Sequence, residues 1–161
     1  MPDSKIIEAD LGNTEHAKAV SALIQDFASD PMGGGTPLSG ESARALIPGL
    51  SAHPTTLVFL ALREDQFVGI ATCFIGFSTF AGKPLINIHD LYVRDNAQGQ
   101  GLGRELIEAV SAKARSIGGC KVTLEVQGNN HRARAVYHSA GFEQAVYEKS
   151  AGSTLFLSKP V

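Results

Sequence analysis

The hydrophobic and polar positions in the first half of the chain predict two helices and three strands. Apolar residues recur with helical spacing from Thr14 to Ala28, behind an N-cap at Asn13 or Thr14. The apolar runs at 55–62 and 67–77 are joined by a polar turn, which indicates a β-hairpin. The remaining predicted elements are a strand over 5–9, a loop rich in glycine and proline over 29–40 and a short helix over 42–50.

The second half of the chain alternates strand-like and helix-like patterns before two short apolar runs. A strand that ends at Val93 and another that ends at Val126 each precede a helical pattern. The predicted elements are strands over 85–93 and 121–126, helices over 102–117 and 130–140, and a last hairpin of strands over 145–149 and 154–158. Since no internal repeat or linker interrupts this order, it predicts one α/β (α+β) domain over residues 1–161.

Composition and charge narrow the class of protein. The 161 residues are enough for one core that needs no disulfide or metal, and the two cysteines lack the spacing of a disulfide framework. A net charge of −2 argues against a protein that coats nucleic acid. The sequence has neither signal-peptide features nor an apolar run of the roughly 18 residues that a membrane span needs. We therefore expect a cytoplasmic domain with no nucleic-acid or membrane partner.

The most informative segment runs from Ile88 to Ile107, where an apolar strand leads into a glycine-rich turn that opens directly onto a helix. Gly99, Gly101 and Gly103 let the backbone turn tightly and approach a ligand closely. The free N–H groups of the first helical turn and the helix dipole favour an anion there, and Arg104 adds a positive charge. The segment therefore predicts a loop that binds phosphate.

Two common motifs for phosphate binding do not fit this loop. The P-loop pattern needs a lysine followed by Ser or Thr, and neither stands at the required place. The dinucleotide fingerprint needs a last glycine where this chain has Arg104, or Leu106 in the other register. A helix that begins with glycines and binds no ligand is the simpler alternative.

Two further motifs, each following a predicted strand, fit better. The first is Gln98-x-x-Gly101-x-Gly103, and the second is Asn130-x-x-Ala133-x-x-Val136-Tyr137-x-x-x-Gly141-Phe142. Together they resemble the signatures of the GNAT superfamily of acyl-CoA-dependent N-acyltransferases, over residues 85–145 of the chain. The resemblance implies a central mixed, mostly antiparallel sheet of about seven strands flanked by about four helices. This sheet would be splayed between the strands at 85–93 and 121–126.

The resemblance implies that an acetyl group moves from the co-substrate acetyl-CoA to a primary amine by direct attack in a ternary complex. The acceptor would be a small molecule such as a polyamine, or a lysine or N-terminal amine of a peptide. A non-catalytic module of the same fold that binds or senses acyl-CoA is the alternative. The spacing of histidines, cysteines and carboxylates suggests no metal site, so we expect no metal.

The resemblance also implies which residues hold CoA and protonate its sulfur. The main chain of Leu91, Tyr92 and Val93 would pair with the pantetheine arm. Asn130 would hydrogen-bond that arm or cap its own helix. Tyr137 matches the general acid that protonates the departing thiolate, and its alternative is a core tyrosine. The pyrophosphate would lie on the backbone of the loop residues Gln98, Gly99, Gln100, Gly101, Leu102, Gly103 and Arg104.

Three residues are candidates for taking the proton from the amine. His89 matches the position at which many family members place a glutamate, and histidine can accept a proton near neutral pH. Asp90 is the second candidate, and Glu125 in the next strand, acting through water, is the third. Neighbours on a strand point to opposite faces, so we expect only one of His89 and Asp90 to reach the amine, and a β-bulge could change which one does.

The family builds its acceptor pocket from the first helix, the loop after it and the last hairpin. The corresponding candidates for contact with the amine acceptor are Phe27, Met32 and Phe77, together with His89 and Asp90. The family also implies frequent homodimers, and the sequence pattern leaves no apolar stripe clearly unused for such an interface.

Charge is divided unevenly between the two halves of the chain. Residues 1–84 carry five Lys/Arg and nine Asp/Glu, a net charge of −4, whereas residues 85–161 carry nine and seven, a net charge of +2. The positive half contains the predicted phosphate loop. The negative half suits a cationic amine as the acceptor.

Overall fold

A five-stranded sheet organises the computed structural model, which describes residues 3–146 and 148–161. Its strands are β1 (Ser4–Glu8), β2 (Thr56–Arg63), β3 (Gln66–Ser78), β4 (Lys83–Val93) and β5 (Val122–Leu124). They lie side by side in chain order. β1 to β4 pair with one another antiparallel, and β5 pairs with β4 in parallel. The α-helices in the described ranges are α1 (Thr14–Ser29), α2 (Gly40–Ala52), α3 (Leu102–Ser116) and α4 (His131–Ser139).

Helices cover both faces of the sheet, because each helix presents apolar residues to one face. On one face, which we call the α1–α2 face, Val20, Leu23 and Leu50 pack against Leu60 of β2. The opposite face, the α3 face, packs against the apolar stripe of α3 at Leu102, Leu106, Val110 and Ala114. Each such buried leucine or valine contributes about 1.5–3 kcal/mol to folding. Within the described ranges, no helix is both long enough and apolar enough to cross a membrane.

β4 and β5 run together only at the start of β4. They pair over three residues of each strand, from Ile86 with Val122 to Ile88 with Leu124. β5 ends at that point, whereas β4 continues to Val93. Along this last part of β4, no described strand lies on the β5 side, so the main-chain groups on that edge face a gap. The splay that the resemblance implies between these two strands is confirmed.

The sheet has fewer strands than the resemblance implies, because the described residues of the last hairpin form no strand ladder. Residues 149–151 form a 3₁₀ turn, and Thr154 Oγ1 donates to the Ala145 carbonyl oxygen at 2.9 Å. Leu155, Phe156 and Leu157 are each at least 76% exposed. Consecutive side chains of a strand alternate between its two faces, and neither face of this apolar segment is covered. Tyr147, in the first predicted strand of the hairpin, lies outside the described residues.

Candidate active site

The loop between β4 and α3 presents hydrogen-bond donors at the start of a helix. Gly101 is the N-cap of α3 with a φ of +87°, in the left-handed region that favours glycine. Because Gly101 has no side chain, it cannot cap the first-turn N–H groups of Leu102, Gly103 and Arg104. A Cβ at Gly101 would meet no described atom within 4 Å, so there is open space at this turn for a ligand. An anionic pyrophosphate fits this arrangement of donors and space.

Arg132 adds a positive charge beside this loop that the motifs did not single out. Its Nη1 donates to Gln98 Oε1 at 2.6 Å, and its Nη2 lies 3.8 Å from where a Cβ on Gly99 would be. Gln98 in turn donates through Nε2 to the Val93 carbonyl oxygen at 2.7 Å. A basic residue in the first turn of a helix opposes the helix dipole, and α4 has no acidic residue there to offset it. That unfavourable placement is the sequence signal that could have identified Arg132.

A β-bulge interrupts β4 at the predicted base. Asp90 pairs with Thr72 and Ile88 pairs with Cys73, so His89 is the extra residue of β4. A bulge changes the alternation of side chains along a strand, and bulges are common beside active sites. The bulge that the sequence left as an open alternative is therefore present.

The bulge puts His89 and Asp90 on the same face of the sheet. The His89 ring centroid lies 5.7 Å from that of Phe74, and Phe74 packs into the core of the α1–α2 face. Asp90 lies two residues before Tyr92, and Tyr92 packs into the same core. The side chains of Asp90 and Tyr92 therefore point to the same face. The His89 and Asp90 side chains thus both lie on the α1–α2 face, because the extra residue shifts the alternation, and which of them reaches the amine stays a prediction.

The Asp90 carboxyl lies in a partly apolar environment in which its charge is costly. Burial raises its pKa above the ordinary value, and the neighbouring His89 side chain and a hydrogen bond from the Thr72 hydroxyl each lower it in part. Burial, with the charge of Asp90, also raises the pKa of the Cys73 thiol to about 12, so this thiol stays protonated. Thr72, which pairs with Asp90 across β3 and β4, is itself buried. A buried carboxylate is costly to a fold unless partners such as His89 and Thr72, or a bound cation, stabilise its charge.

Tyr137 projects from α4 and retains its proton. The side chain packs at the edge of the α3-face core, with its ring centroid 6.0 Å from that of Phe142. Burial raises the pKa of the Tyr137 hydroxyl above its ordinary value. At neutral pH this phenol is therefore a hydrogen-bond donor.

Asn130 and Glu125 lie on the segment that joins β5 to α4. Asn130 caps α4, with its Oδ1 accepting from the Ala133 N–H at 3.1 Å. This cap does not use the Nδ2 hydrogens of Asn130, so the same residue can also donate to the CoA arm. Glu125 is exposed and follows β5 directly, on the far side of the gap from β4.

The predicted acceptor contacts fall into two places. The Phe27 ring stacks on that of Tyr92, with centroids 5.5 Å apart and an interplanar angle of 26°. Met32 is exposed on the loop that follows the same helix. Phe77 lies five residues along β3 from Thr72, a distance of roughly 17 Å at strand spacing, near the β3–β4 turn. The structure thus places Phe27 against Tyr92, Met32 on the loop that follows α1, and Phe77 away from both.

The loop after α1 is held by a compact set of hydrogen bonds. The Asp30 carbonyl oxygen accepts from all three N–H groups of residues 33–35 at 2.9–3.1 Å, and its Oδ1 accepts from the Met32 N–H at 2.8 Å. A Cβ on Gly33 would lie 1.9 Å from the Phe27 carbonyl oxygen, so only glycine fits there. This glycine-rich loop therefore forms a defined wall beside Tyr92.

Acidic residues surround Tyr92 and give its surroundings a negative field, even though one of these acids is paired. Arg94 Nε contacts Asp26 Oδ2 at 2.8 Å, so Arg94 joins β4 to α1 and does not face the phosphate loop. Burial raises the pKa of the Tyr92 hydroxyl, and the charges of Asp26, Asp95 and Asp30 raise it further, with Arg94 acting in the opposite direction. A cation near Tyr92 is therefore favoured.

Comparisons with known proteins match this chain to acetyltransferases. A family model described as the acetyltransferase (GNAT) family matches residues 21–142. The uncharacterized N-acetyltransferase YhfO of Bacillus subtilis (strain 168) is 25% identical over 137 residues, which cover 81% of this chain and 86% of that protein. The crystal structure of a probable acetyltransferase has a TM-score of 0.80 at 23% identity, covering 97% of this chain and 99% of that one. Aminoglycoside N-acetyltransferase AAC(6')-Iy in complex with CoA has a TM-score of 0.76 at 16% identity, covering 100% of this chain and 97% of that one.

Proposed function

Because this chain belongs to the GNAT family and is an acetyl-CoA-dependent N-acetyltransferase, we propose that its acceptor is a primary amine on a small cationic molecule. The observation that carries this proposal is the negative field at Tyr92, on the face of the sheet that also holds His89 and Asp90. Such a field attracts a protonated amine. The fold shared with an aminoglycoside N-acetyltransferase adds support for a small-molecule acceptor.

A panel of amines tests the acceptor class. The panel contains spermidine, an aminoglycoside, a neutral monoamine, a lysine peptide and a peptide with a free N-terminus. We expect the two polycations to be acetylated with kcat/KM at least about tenfold above the others, and this preference to weaken as salt screens the field. Release of the CoA thiol gives the rate, and the mass of the product identifies the acetylated amine. A preference for either peptide would contradict the proposal.

The loop would hold the CoA pyrophosphate through backbone donors and two guanidinium groups. The N–H groups of Leu102, Gly103 and Arg104 point out of the first turn of α3, and the Arg104 and Arg132 side chains add positive charge. From there the pantetheine arm would extend along the open edge of β4, where Leu91 to Val93 lack a strand on the β5 side. A main-chain N–H on this edge would stabilise the oxyanion that develops on the thioester.

The acetyl transfer would use His89 and Asp90 of β4 and Tyr137 of α4. The acceptor arrives as an ammonium ion, so His89 first takes one proton and frees the nitrogen lone pair. The nitrogen then forms a bond to the thioester carbonyl carbon. The carbon–sulfur bond then breaks, and its electron pair leaves on sulfur. The neighbouring Asp90 carboxylate stabilises the imidazolium formed on His89, and the second proton that the nitrogen loses as the amide forms goes to water. Tyr137 donates a hydrogen bond or its proton to the departing thiolate.

Substitutions on the bulge identify the proton acceptor. We expect His89→Gln to lower kcat/KM about 100-fold at neutral pH, and Asp90→Asn about tenfold, because Asp90 acts through His89. The loss in His89→Gln should shrink as pH rises, since more of the acceptor amine then arrives without its extra proton. A pH–rate profile of each variant measures this, with Glu143→Gln as a control for loss of an exposed carboxylate. A larger loss in Asp90→Asn or in Glu125→Gln would assign the role to that residue instead.

A further inference from the structure

The helix that carries Tyr137 has little packing of its own. α4 spans nine residues, and none of its side chains, all of them in the described part of the chain, is fully buried. It contacts the α3-face core through Val136 and Tyr137 at the edge of that core. Short elements with few buried contacts open easily, so polar contacts have a large share in fixing where such a helix lies.

One hydrogen bond connects the side chains of α4 to another element. Arg134 Nη1 donates to the Gly128 carbonyl oxygen at 2.8 Å, in the turn that leads into α4 itself. Arg132 Nη1 instead donates to Gln98 Oε1 in the phosphate loop, 34 positions away in sequence. Among the hydrogen bonds of the described residues, no other side chain of α4 reaches outside the helix and its flanking turns.

The acceptor of this bond is itself held in place. Gln98 Nε2 donates to the carbonyl oxygen of Val93, the last residue of β4, at 2.7 Å and to Asp95 Oδ1 at 3.0 Å. The Gln98 side chain is therefore fixed relative to β4, the strand along which the thioester would lie. Through this side chain, Arg132 fixes α4 relative to the same strand.

We propose that Arg132 is a positioning residue, which sets the position of Tyr137 by holding α4 on Gln98. The proposal rests on the role of Tyr137 in the proposed function. Tyr137 follows Arg132 by five residues, about 7.5 Å along the helix, so a shift or tilt at the start of α4 moves the phenol as well. Because Arg132 also lies beside the phosphate loop, CoA bound there would strengthen the hold on α4.

Hydrogen exchange tests the structural half of the proposal without an acceptor amine. We compare the wild type, Arg132→Gln and the matched control Arg134→Gln, which removes the same charge from the same helix. We expect faster amide exchange over His131–Ser139 in Arg132→Gln, and exchange close to wild type in Arg134→Gln. Acetyl-CoA should slow exchange of α4 in the wild type and less so in Arg132→Gln. Equal exchange in all three proteins would overturn the proposal.

Kinetics test whether Arg132 acts through Tyr137. With the most active amine of the panel, Arg132→Gln should lower kcat about tenfold in the wild-type background and cause no further loss in Tyr137→Phe. The loss should persist with acetyl-pantetheine, a donor without the pyrophosphate. A loss of equal size in both backgrounds, or one that disappears with acetyl-pantetheine, would overturn the proposal. If Tyr137→Phe alone keeps the wild-type kcat, the assigned role of Tyr137 fails, and the exchange measurement still decides whether Arg132 holds α4.

Discussion

Replacing Tyr137 by phenylalanine is expected to lower kcat about 100-fold and to leave the KM for acetyl-CoA nearly unchanged. The substitution keeps the ring, so the packing against Phe142 and the α3-face core is preserved. Only the hydroxyl is lost, and with it the hydrogen bond to the sulfur as negative charge develops. An interaction made only in the transition state affects kcat and not the binding of the donor.

The raised pKa of Tyr137 refines this expectation. A thiol of ordinary pKa, about 8.5, is a stronger acid than a phenol whose pKa is raised above about 10. Full proton transfer to the thiolate is therefore unfavourable, and most of the effect comes from a hydrogen bond to the charged sulfur. An acetyl thioester of a more acidic thiol needs less of this help, so the difference between wild type and Tyr137→Phe should narrow with such a donor. Wild-type kcat in Tyr137→Phe would refute the assignment.

Replacing Gly101 by valine is expected to raise the KM for acetyl-CoA about 100-fold, the loss of about two charge-assisted hydrogen bonds. The residue has a φ of +87°, which a β-branched side chain cannot adopt without strain. The new side chain would also occupy open space at the turn where the pyrophosphate would bind. Both effects weaken binding of the pyrophosphate, whereas Tyr137 and His89 are untouched, so kcat at saturating acetyl-CoA should fall much less.

Gly118 offers a matched control for this substitution. It also has a positive φ, +72°, and a Cβ there would likewise meet no described atom within 4 Å. It lies just beyond the other end of α3, away from the phosphate loop. We expect Gly118→Val to lower the melting temperature about as much as Gly101→Val while the KM for acetyl-CoA stays at the wild-type value. An equal rise in KM in both variants would show that the effect on binding is one of general destabilisation.

The parts of the site with a local sequence signature were predictable. Glycines with positive φ at the start of a helix mark the phosphate loop, and an asparagine N-cap seven residues before a tyrosine marks α4 and Tyr137. The apolar runs likewise predict β2, β3 and β4, because each is long and strongly apolar. In these segments, neighbouring residues alone determine the conformation.

The other parts depend on pairing between distant segments. The face on which His89 and Asp90 lie follows from one extra residue in the register of β3 and β4, which neither strand's pattern shows by itself. The contact between Arg94 and Asp26 joins residues 68 positions apart, so the sequence near either residue does not indicate it. The last predicted hairpin is apolar enough for strands, but a strand also needs a partner and cover for its side chains.

The most direct test of the account is a two-substrate initial-velocity measurement, in which release of the CoA thiol is followed while acetyl-CoA and an active amine are varied together. Direct attack in a ternary complex predicts intersecting double-reciprocal lines, no thiol release without amine, and an enzyme mass that acetyl-CoA alone does not change. Parallel lines with an acetylated enzyme would contradict direct transfer. Saturable binding of acetyl-CoA with no thiol release on any amine would contradict catalysis itself.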